Sequence, residues 1–575
     1  MTLTVDLAQG FPRRFVPVDA DMGDFAQIEP LFQRLLSTTP ASPQELERWL
    51  EDASELSAAL DEERTKRYIA MTSQTDDPER ERAFLYHLEH VAPKVKPLLH
   101  ALNEAYLRSP HRRALPARYA LLDRAIETRV ALFRPENVAL ETEDSKLKQQ
   151  YQKLTGAMTV MFRGTEHTPQ QMAKYLDETD RAVRQEAWEL VARRRLADRV
   201  AYDDLFDAML DLRGRIAANA GYADYGSYIF AERERFDYTA EDCLRFHDAV
   251  AETVVPLLRT LWRRRRAALG VEKLRPWDLA VDPAGRPPLR PFDGADRFAA
   301  GIEAIFSKID VDLGRQFRFM RDRGLLDLES RKGKAPGGYQ STLQEQRVPF
   351  IFMNAVGVDA DLRTLLHEGG HAFHMLAARR DPLMDYRDSP LEFCEVASMG
   401  MELLAMPHIG EFYPNTAEAE RATHEHLEGI VRLFPWVATI DAFQHWLYTH
   451  PDHTRAARGK AWLEISRRFS PDVDFTGYED IEESYWHRQL HIFQVPFYYI
   501  EYGIAQVGAL QVWLQARRDA KTAVSRYRSA LSFGGTRSLP ELFEAAGAKF
   551  DFSAQTLGPL MDEIAKVLDI PRAGV

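Results

Sequence analysis

The sequence predicts a mainly α-helical protein with a little β-structure beside a cluster of histidines. Amphipathic runs of helical period fill most of its 575 residues, and capping signals open several of them. One short β-branched and aromatic run interrupts this texture just before the histidines. A hydrophobic content of 45% and a charged content of 28% belong to a globular chain. The length allows roughly two to four ordinary domains, or one large helical body with lobes. A net charge of −13 weighs against nucleic acid or an acidic membrane surface as a partner. Cys243 and Cys394 are the only cysteines, too few for a disulfide framework. No run approaches the roughly 18 apolar residues of a membrane span. The start MTLTVDLAQGFPRRFVPVD lacks the apolar core of a secretory signal, so a cytoplasmic protein is expected.

Taken in order, SPQELERWLEDASELSAAL opens with Ser42 as N-cap, Pro43 at the first helical position and Glu45 to close a capping box. Leu46, Trp49, Leu50 and Ala53 then keep the helical period. Further amphipathic runs follow in SKLKQQYQKLTGAM and in residues 181–221. Residues 239–270 read as one helix, from Thr239 as cap to Gly270 as stop. The basic run Arg263–Arg266 near its end complements the helix dipole and reads as a solvated helix end. Proline and glycine crowd residues 276–296, where helix is improbable. A second irregular stretch, RKGKAPGGYQSTLQEQRVPFIFMN, contains the best strand, VPFIFM at 348–353, and its proline suggests a sheet edge. An exposed edge invites an extended peptide to complete the ladder.

The histidines stand in HEGGHAFH, residues 367–374. On a helix, residues four apart lie on one face, about 6 Å apart along the axis. His367 and His371 can therefore share a zinc ion, while Glu368 on the neighbouring side can serve a water without ligating the metal. AVGVDADLRTLL leads in, with Leu362, Leu365 and Leu366 on the core side. Gly369 and Gly370 each cost about 1 kcal/mol of helix propensity, which suits a position where a substrate or strand comes close. His374 lies about 10.5 Å along the axis from His367, too far to join the same ion, and reads as packing. The third ligand must come from another element. In DSPLEFCEVASMGMELLAM, Ser389 and Glu392 read as a capping box, and Glu395 is the next carboxylate on an apolar helix. An unpaired carboxylate is costly to bury there, and zinc would offset that cost. Glu402, two turns on, is placed to orient a ligand histidine.

HEGGHAFH with the glutamate of CEVAS, 28 residues after His367, resembles the thimet oligopeptidase and oligoendopeptidase F family of zinc peptidases, most closely the oligoendopeptidase F and Pz-peptidase branch. RIAANAGYADYGSY (215–228), GGYQSTLQEQRVPFIFMN (337–354) and HIFQVPFYYIEYGIAQ (491–506) resemble further segments of that family. The resemblance covers roughly residues 200–510 and suggests a helical region over 1–195 and a catalytic region over 196–575. It implies a two-lobed helical body around a deep channel with zinc at its floor, cutting short unstructured peptides internally.

The last of these segments makes chemical sense on its own. Pro496 suits the first turn of a helix, which would leave His491 in the loop before it. Tyr498 and Tyr502 share a helix face, and Tyr499 and Tyr502 nearly do. Phenol and imidazole donors can stabilise the oxyanion of proteolysis. The expectation is therefore one Zn²⁺ on His367, His371 and Glu395, with Glu368 as general base. His491, Tyr498 and Tyr502 stabilise the oxyanion or hold the peptide, with Tyr499 as a substitute. Strand 348–353 pairs with substrate, and Gly337, Gly338 and Tyr339 form a loop above it. Two rivals are a helical zinc carboxypeptidase, for which no arginine is marked to grip a terminal carboxylate, and a non-catalytic helical scaffold.

Overall fold

The computed structural model describes residues 4–335 and 337–570, and it is mainly helical. Among the described residues, strands occur in two places. Val160–Phe162 (β1) and Thr165–His167 (β2) form an antiparallel hairpin. Leu326–Glu329 (β3), Tyr339–Leu343 (β4) and Val348–Ala355 (β5) form a sheet in the order β3-β5-β4. Among the described residues, no helix is long and apolar enough to cross a membrane.

By packing the chain divides into two units, each discontinuous in sequence. Unit 1 comprises Met1–Ala131, Leu289–Thr423 and Ala505–Phe550. Unit 2 comprises Leu132–Pro288, His424–Ile504 and Asp551–Val575. The division at 195/196 separates regions by motif content, and it falls inside the helix Arg181–Ala197 of unit 2.

The sequence signals act locally as physics requires. Ser42 accepts from the Glu45 N–H and starts the helix Pro43–Ser73, while the Glu45 carboxylate takes the Ala41 N–H. Residues 239–270 form two helices, Ala240–Thr253 and Val255–Leu269, broken at Val254 because Pro256 has no N–H to continue the ladder. Gly270 ends the second helix at φ 64°. Within the basic run, Arg264 caps the carbonyls of Leu568 and Asp569, and Arg265 those of Asp278 and Val281.

The sheet corrects one expectation. VPFIFM lies in the central strand, because β4 pairs antiparallel along one side of β5 and β3 parallel along the other. Pro349 is tolerated because β3 first pairs at Leu326↔Ile351, beyond the proline. Both edges of β5 being taken, β4 is the strand left at the sheet's edge on the side of Tyr339. Buried Lys334 ties the other side, donating to the carbonyls of Asp327, Glu329 and Met353.

From β5 the chain turns at 356–358 into the helix Asp359–Ala378, which carries HEGGHAFH. The Asp361 carboxylate accepts three successive N–H groups, from Val356, Gly357 and Val358, so the turn and the helix start are fixed together. Leu362, Leu365 and Leu366 are buried. The partner helix is Leu391–Ala405, and the contact explains the glycines. A Cβ on Gly370 would lie 2.5 Å from the Ala397 carbonyl oxygen and 2.6 Å from the Ser398 Cα. One on Gly369 would lie 2.5 Å from the Phe306 ring. Neighbouring helix and aromatic ring, rather than substrate or strand, are what come close.

Gly370→Ala should therefore destabilise unit 1. Alanine gains about 1 kcal/mol of helix propensity, but the clash is with backbone and overpacking costs about 1–3 kcal/mol. Denaturant unfolding should show a net loss, with metal affinity reduced alongside. A variant as stable as the parent would mean that the two helices can part without cost.

Candidate active site

The two helices of unit 1 bring three side chains together. His367 Nε2 lies 3.3 Å from Glu395 Oε2, and His371 Nε2 lies 3.8 Å from the same oxygen. The ligand atoms of His367, His371 and Glu395 all lie within 4.8 Å of one another. Two ligands at about 2.0–2.1 Å from a tetrahedral ion sit about 3.3–3.4 Å apart. The spacing therefore fits a divalent metal.

The surrounding groups set the orientation of these ligands. Glu402 Oε1 is 2.8 Å from His367 Nδ1, which directs the opposite nitrogen, Nε2, at the centre. Ser398 donates to Glu395 Oε2 at 3.0 Å from the same helix. Tyr527 donates to the Ala397 carbonyl at 2.5 Å, beside the Gly370 contact.

Electrostatics follow from burial and these neighbours. Burial raises Glu395, but His367 and His371 more than reverse it and hold the carboxyl at about 2. Burial lowers His371 to about 4, leaving a neutral imidazole with a lone pair to give. Burial also acts on His367, where Glu395 and Glu402 outweigh it and hold the ring well above its ordinary value. Glu368 is buried beside the triplet, and burial pushes its carboxyl up to about 7, opposed by His367. The Gln340 backbone N–H of β4 also faces Glu368. The edge strand thus borders the residue expected to act as base.

The remaining expected residues of unit 1 divide. Gly337 and Gly338 are exposed, Gly337 at φ 99°. Tyr339 opens β4, with its ring stacked on Phe352 at 4.7 Å and its hydroxyl 2.6 Å from Thr72 Oγ1, so its phenol is already engaged. His374 is buried, 2.8 Å from Ser389 Oγ, and burial lowers it to about 3. That contact overturns the capping box expected at Ser389 and Glu392. The helix begins at Leu391 after Pro390, with no side-chain cap, because the Ser389 hydroxyl serves His374 instead. Nothing in the sequence marked Ser389 for that imidazole; the pairing depends on the fold.

Unit 2 gathers His491, Tyr498, Tyr499 and Tyr502. The His491 ring centroid lies 6.0, 4.7 and 6.1 Å from those of the three tyrosines in that order. His491 sits in the short helix Leu490–Gln494 rather than in a loop, and Pro496 lies in the turn after it. Tyr498 precedes the helix Tyr499–Arg518, so it reaches Tyr502 across the helix start, with centroids 5.3 Å apart. Phe497, at φ 59°, makes the corner that allows this. Its N–H donates to Gln444 at 2.8 Å, and its carbonyl accepts from Arg235, which also pairs with Glu501 at 2.6 Å. Buried Arg213 pairs with Asp144 and donates to the carbonyls of Ile492 and Phe493, pinning the short helix that carries His491. Burial, aided by Arg233, lowers His491 to about 4, and Gln489 Nε2 meets its Nδ1 at 2.6 Å. His487 takes no part, being occupied by Asp203 at 3.2 Å.

Comparison with known proteins agrees with this geometry. Residues 174–560 match the model of peptidase family M3, and residues 15–130 match the peptidase M3 N-terminal domain. Oligopeptidase PepF of Bacillus subtilis (strain 168) is 24% identical over 326 residues, covering 52% of this chain and 45% of that protein. An oligoendopeptidase F homolog of Borreliella burgdorferi is 21% identical over 295 residues, 49% of this chain and 48% of its own. The chain thus spans about half the length of these relatives. Among solved structures, Pz peptidase A with an inhibitor is 29% identical and superposes with a TM-score of 0.89, covering 97% of this chain and 99% of its own. A Bacillus anthracis protein assigned as an oligoendopeptidase F is 26% identical, covers 99% of both chains and has a TM-score of 0.84. With two thirds of its length matched by the family's model, the chain belongs to peptidase family M3.

Proposed function

We propose that the protein is a zinc-dependent oligoendopeptidase that hydrolyses internal bonds of short, unstructured peptides. The observation that carries this is the convergence of His367, His371 and Glu395 with Glu368 buried beside them. A scaffold would have no use for a carboxyl buried beside three converging ligand atoms. With only two cysteines and no disulfide between them, a reducing, cytoplasmic setting suits the chain.

His367, His371 and Glu395 would hold one zinc ion per chain, leaving a fourth position open. When bound, the ion polarises the scissile carbonyl and acidifies the attacking water. Glu368 takes that water's proton and returns it to the leaving amine. Glu402 holds His367 through Nδ1 and so keeps Nε2 in place throughout. The peptide backbone is expected along β4, whose Gln340 N–H faces Glu368, in place of the covered strand 348–353. Gly337 and Gly338 supply exposed backbone next to it. Tyr498 and Tyr502 with His491 are proposed to stabilise the oxyanion or hold the peptide, with Tyr499 able to substitute. Supporting that role are three phenols around one imidazole and a strained corner that sets them.

Glu368→Gln should keep metal and fold but lower kcat by at least about 10²-fold. Metal analysis and single-turnover kinetics on the same preparation check this, and loss of the metal would mean that Glu368 is itself a ligand. Glu395→Ala should empty the site. Glu392→Ala, lying outside the triplet, should leave its metal content unchanged.

A size limit is expected in digests of a mixed peptide library. Peptides of about 5 to 20 residues held partly by strand addition should be cut internally, while casein survives. Degradation of casein at a comparable rate would reject the restriction to short peptides.

Tyr502→Phe should lower kcat by about 10²- to 10³-fold, as loss of an oxyanion donor does, with KM little changed. Tyr498→Phe should act more on KM. Near-parental kcat in both variants would reduce the cluster to packing.

A further inference from the structure

Unit 2 contains a second convergence of ligand atoms, on a pair of helices that carry none of the expected catalytic residues. Cys243 and His247 lie four apart on the helix Ala240–Thr253, and Asp441 and His445 lie four apart on the helix Thr416–Thr449. Each pair therefore occupies one face of its helix. The ligand atoms of Cys243, Asp441 and His445 all lie within 4.8 Å of one another. Cys243 and Asp441 are fully buried, and His445 has a side-chain exposure of 14%. His247 Nε2 meets Asp441 Oδ2 at 2.9 Å.

Two atoms in this cluster are left without the partners that burial demands. Asp441 Oδ1 has no hydrogen-bond partner, and neither has His445 Nε2. His445 Nε2 is 3.4 Å from Asp441 Oδ2, an ion-pair distance rather than a close hydrogen bond. That separation matches two ligands of one tetrahedral ion, about 3.3–3.4 Å apart, and repeats the 3.3 Å between His367 and Glu395. The shell around it is apolar: Phe230, Phe469 and Phe497 ring the two imidazoles. The buried Asp441 carboxylate has His247 and His445 beside one oxygen, while its other oxygen, Oδ1, has no partner. The Cys243 thiolate and the Asp441 carboxylate together match the charge of one divalent cation.

We propose that Cys243, Asp441 and His445 form a second, structural metal site for a thiophilic divalent cation, zinc being the best match, with His247 orienting Asp441. A thiolate, an imidazole and a carboxylate within 4.8 Å of one another select zinc over magnesium or calcium, which take oxygen ligands. The contact between His247 and Asp441 is the hydrogen bond that fixes a ligand from behind. The ion would clamp the two helices beneath Phe497, whose ring lies 5.0 Å from His445 and whose corner sets Tyr498. Its role is to stiffen the seat of the tyrosines rather than to react.

Metal content and cobalt spectra of the full-length chain test this without reference to peptidase activity. After loading with zinc and dialysis, the wild type should hold about two ions per chain, and His367→Ala and Cys243→Ser about one each. The cobalt-loaded protein should show thiolate-to-cobalt charge-transfer absorption. That band should persist in His367→Ala and in Cys394→Ser, and vanish in Cys243→Ser. Chelation should lower the Tm of His367→Ala but not that of the double variant His367→Ala/Cys243→Ser. If Cys243→Ser does not fold, His445→Gln carries the same comparisons. A folded His367→Ala protein that takes up neither zinc nor cobalt, even with excess metal, overturns the proposal and leaves the cluster a hydrogen-bonded network.

Discussion

The candidate metal centre of unit 1 depends on how closely two helices can approach. Glu395 reaches the imidazoles of His367 and His371 only because Gly370 lets the backbone of Ala397 and Ser398 come within the space of a methyl group. That single contact fixes the distance and turn of one helix on the other. Other interactions then hold it: the Tyr527 hydroxyl on the Ala397 carbonyl, Ser398 on the Glu395 carboxylate, Glu402 on His367. Each joins residues within or between the same few elements, so the ligands are set by rigid helices rather than loops.

This explains what could be read from the sequence. HEGGHAFH announces its own geometry, because a helix places residues four apart on one face whatever surrounds it. Glu395 was legible because a carboxylate on an apolar helix needs a partner, and the family resemblance pointed to the same residue. The misreadings concern facts that local pattern does not carry. Pro349 suggests an edge, but whether β3 reaches past it is decided by a segment more than twenty residues upstream. Ser389 and Glu392 have the spacing of a capping box, yet the buried His374 competes for the same hydroxyl and wins. The helical period runs through Val254 unbroken, and only Pro256 hints at the break.

The four-residue spacings of Cys243 with His247 and of Asp441 with His445 were equally open to inspection. Each pair is unremarkable alone, since single histidines on helix faces are most often packing. Only the fold sets the two faces against each other. Unit 2 uses buried charge in the same way elsewhere: Arg213 on Asp144 and two carbonyls, Arg235 on Glu501 and the Phe497 carbonyl. These pairs leave little freedom to the short helix that carries His491 and the turn that carries Tyr498, because breaking any one leaves an uncompensated buried charge. The strained φ of Phe497 persists for that reason.

Glu395 and Glu368 of unit 1 show how neighbours separate the behaviour of one chemical group at similar burial. Glu395 and Glu368 are both buried, Glu368 on the helix of His367 and His371 and Glu395 on the helix packed against it. Glu395 is flanked by His367 and His371, which keep it ionised at any ordinary pH. Glu368 faces outward from that pair, and burial raises it to about 7, the range in which a carboxylate can both take a proton and give it back near neutrality. Positive charge held at the triplet lowers Glu368 from there, since an opposite charge a few ångströms away favours the ionised form. On the proposed reading the three ligands would therefore do more than hold a cation. By fixing its position they would also set the proton affinity of Glu368, so that losing His367, His371 or Glu395 would impair the base as well as the metal.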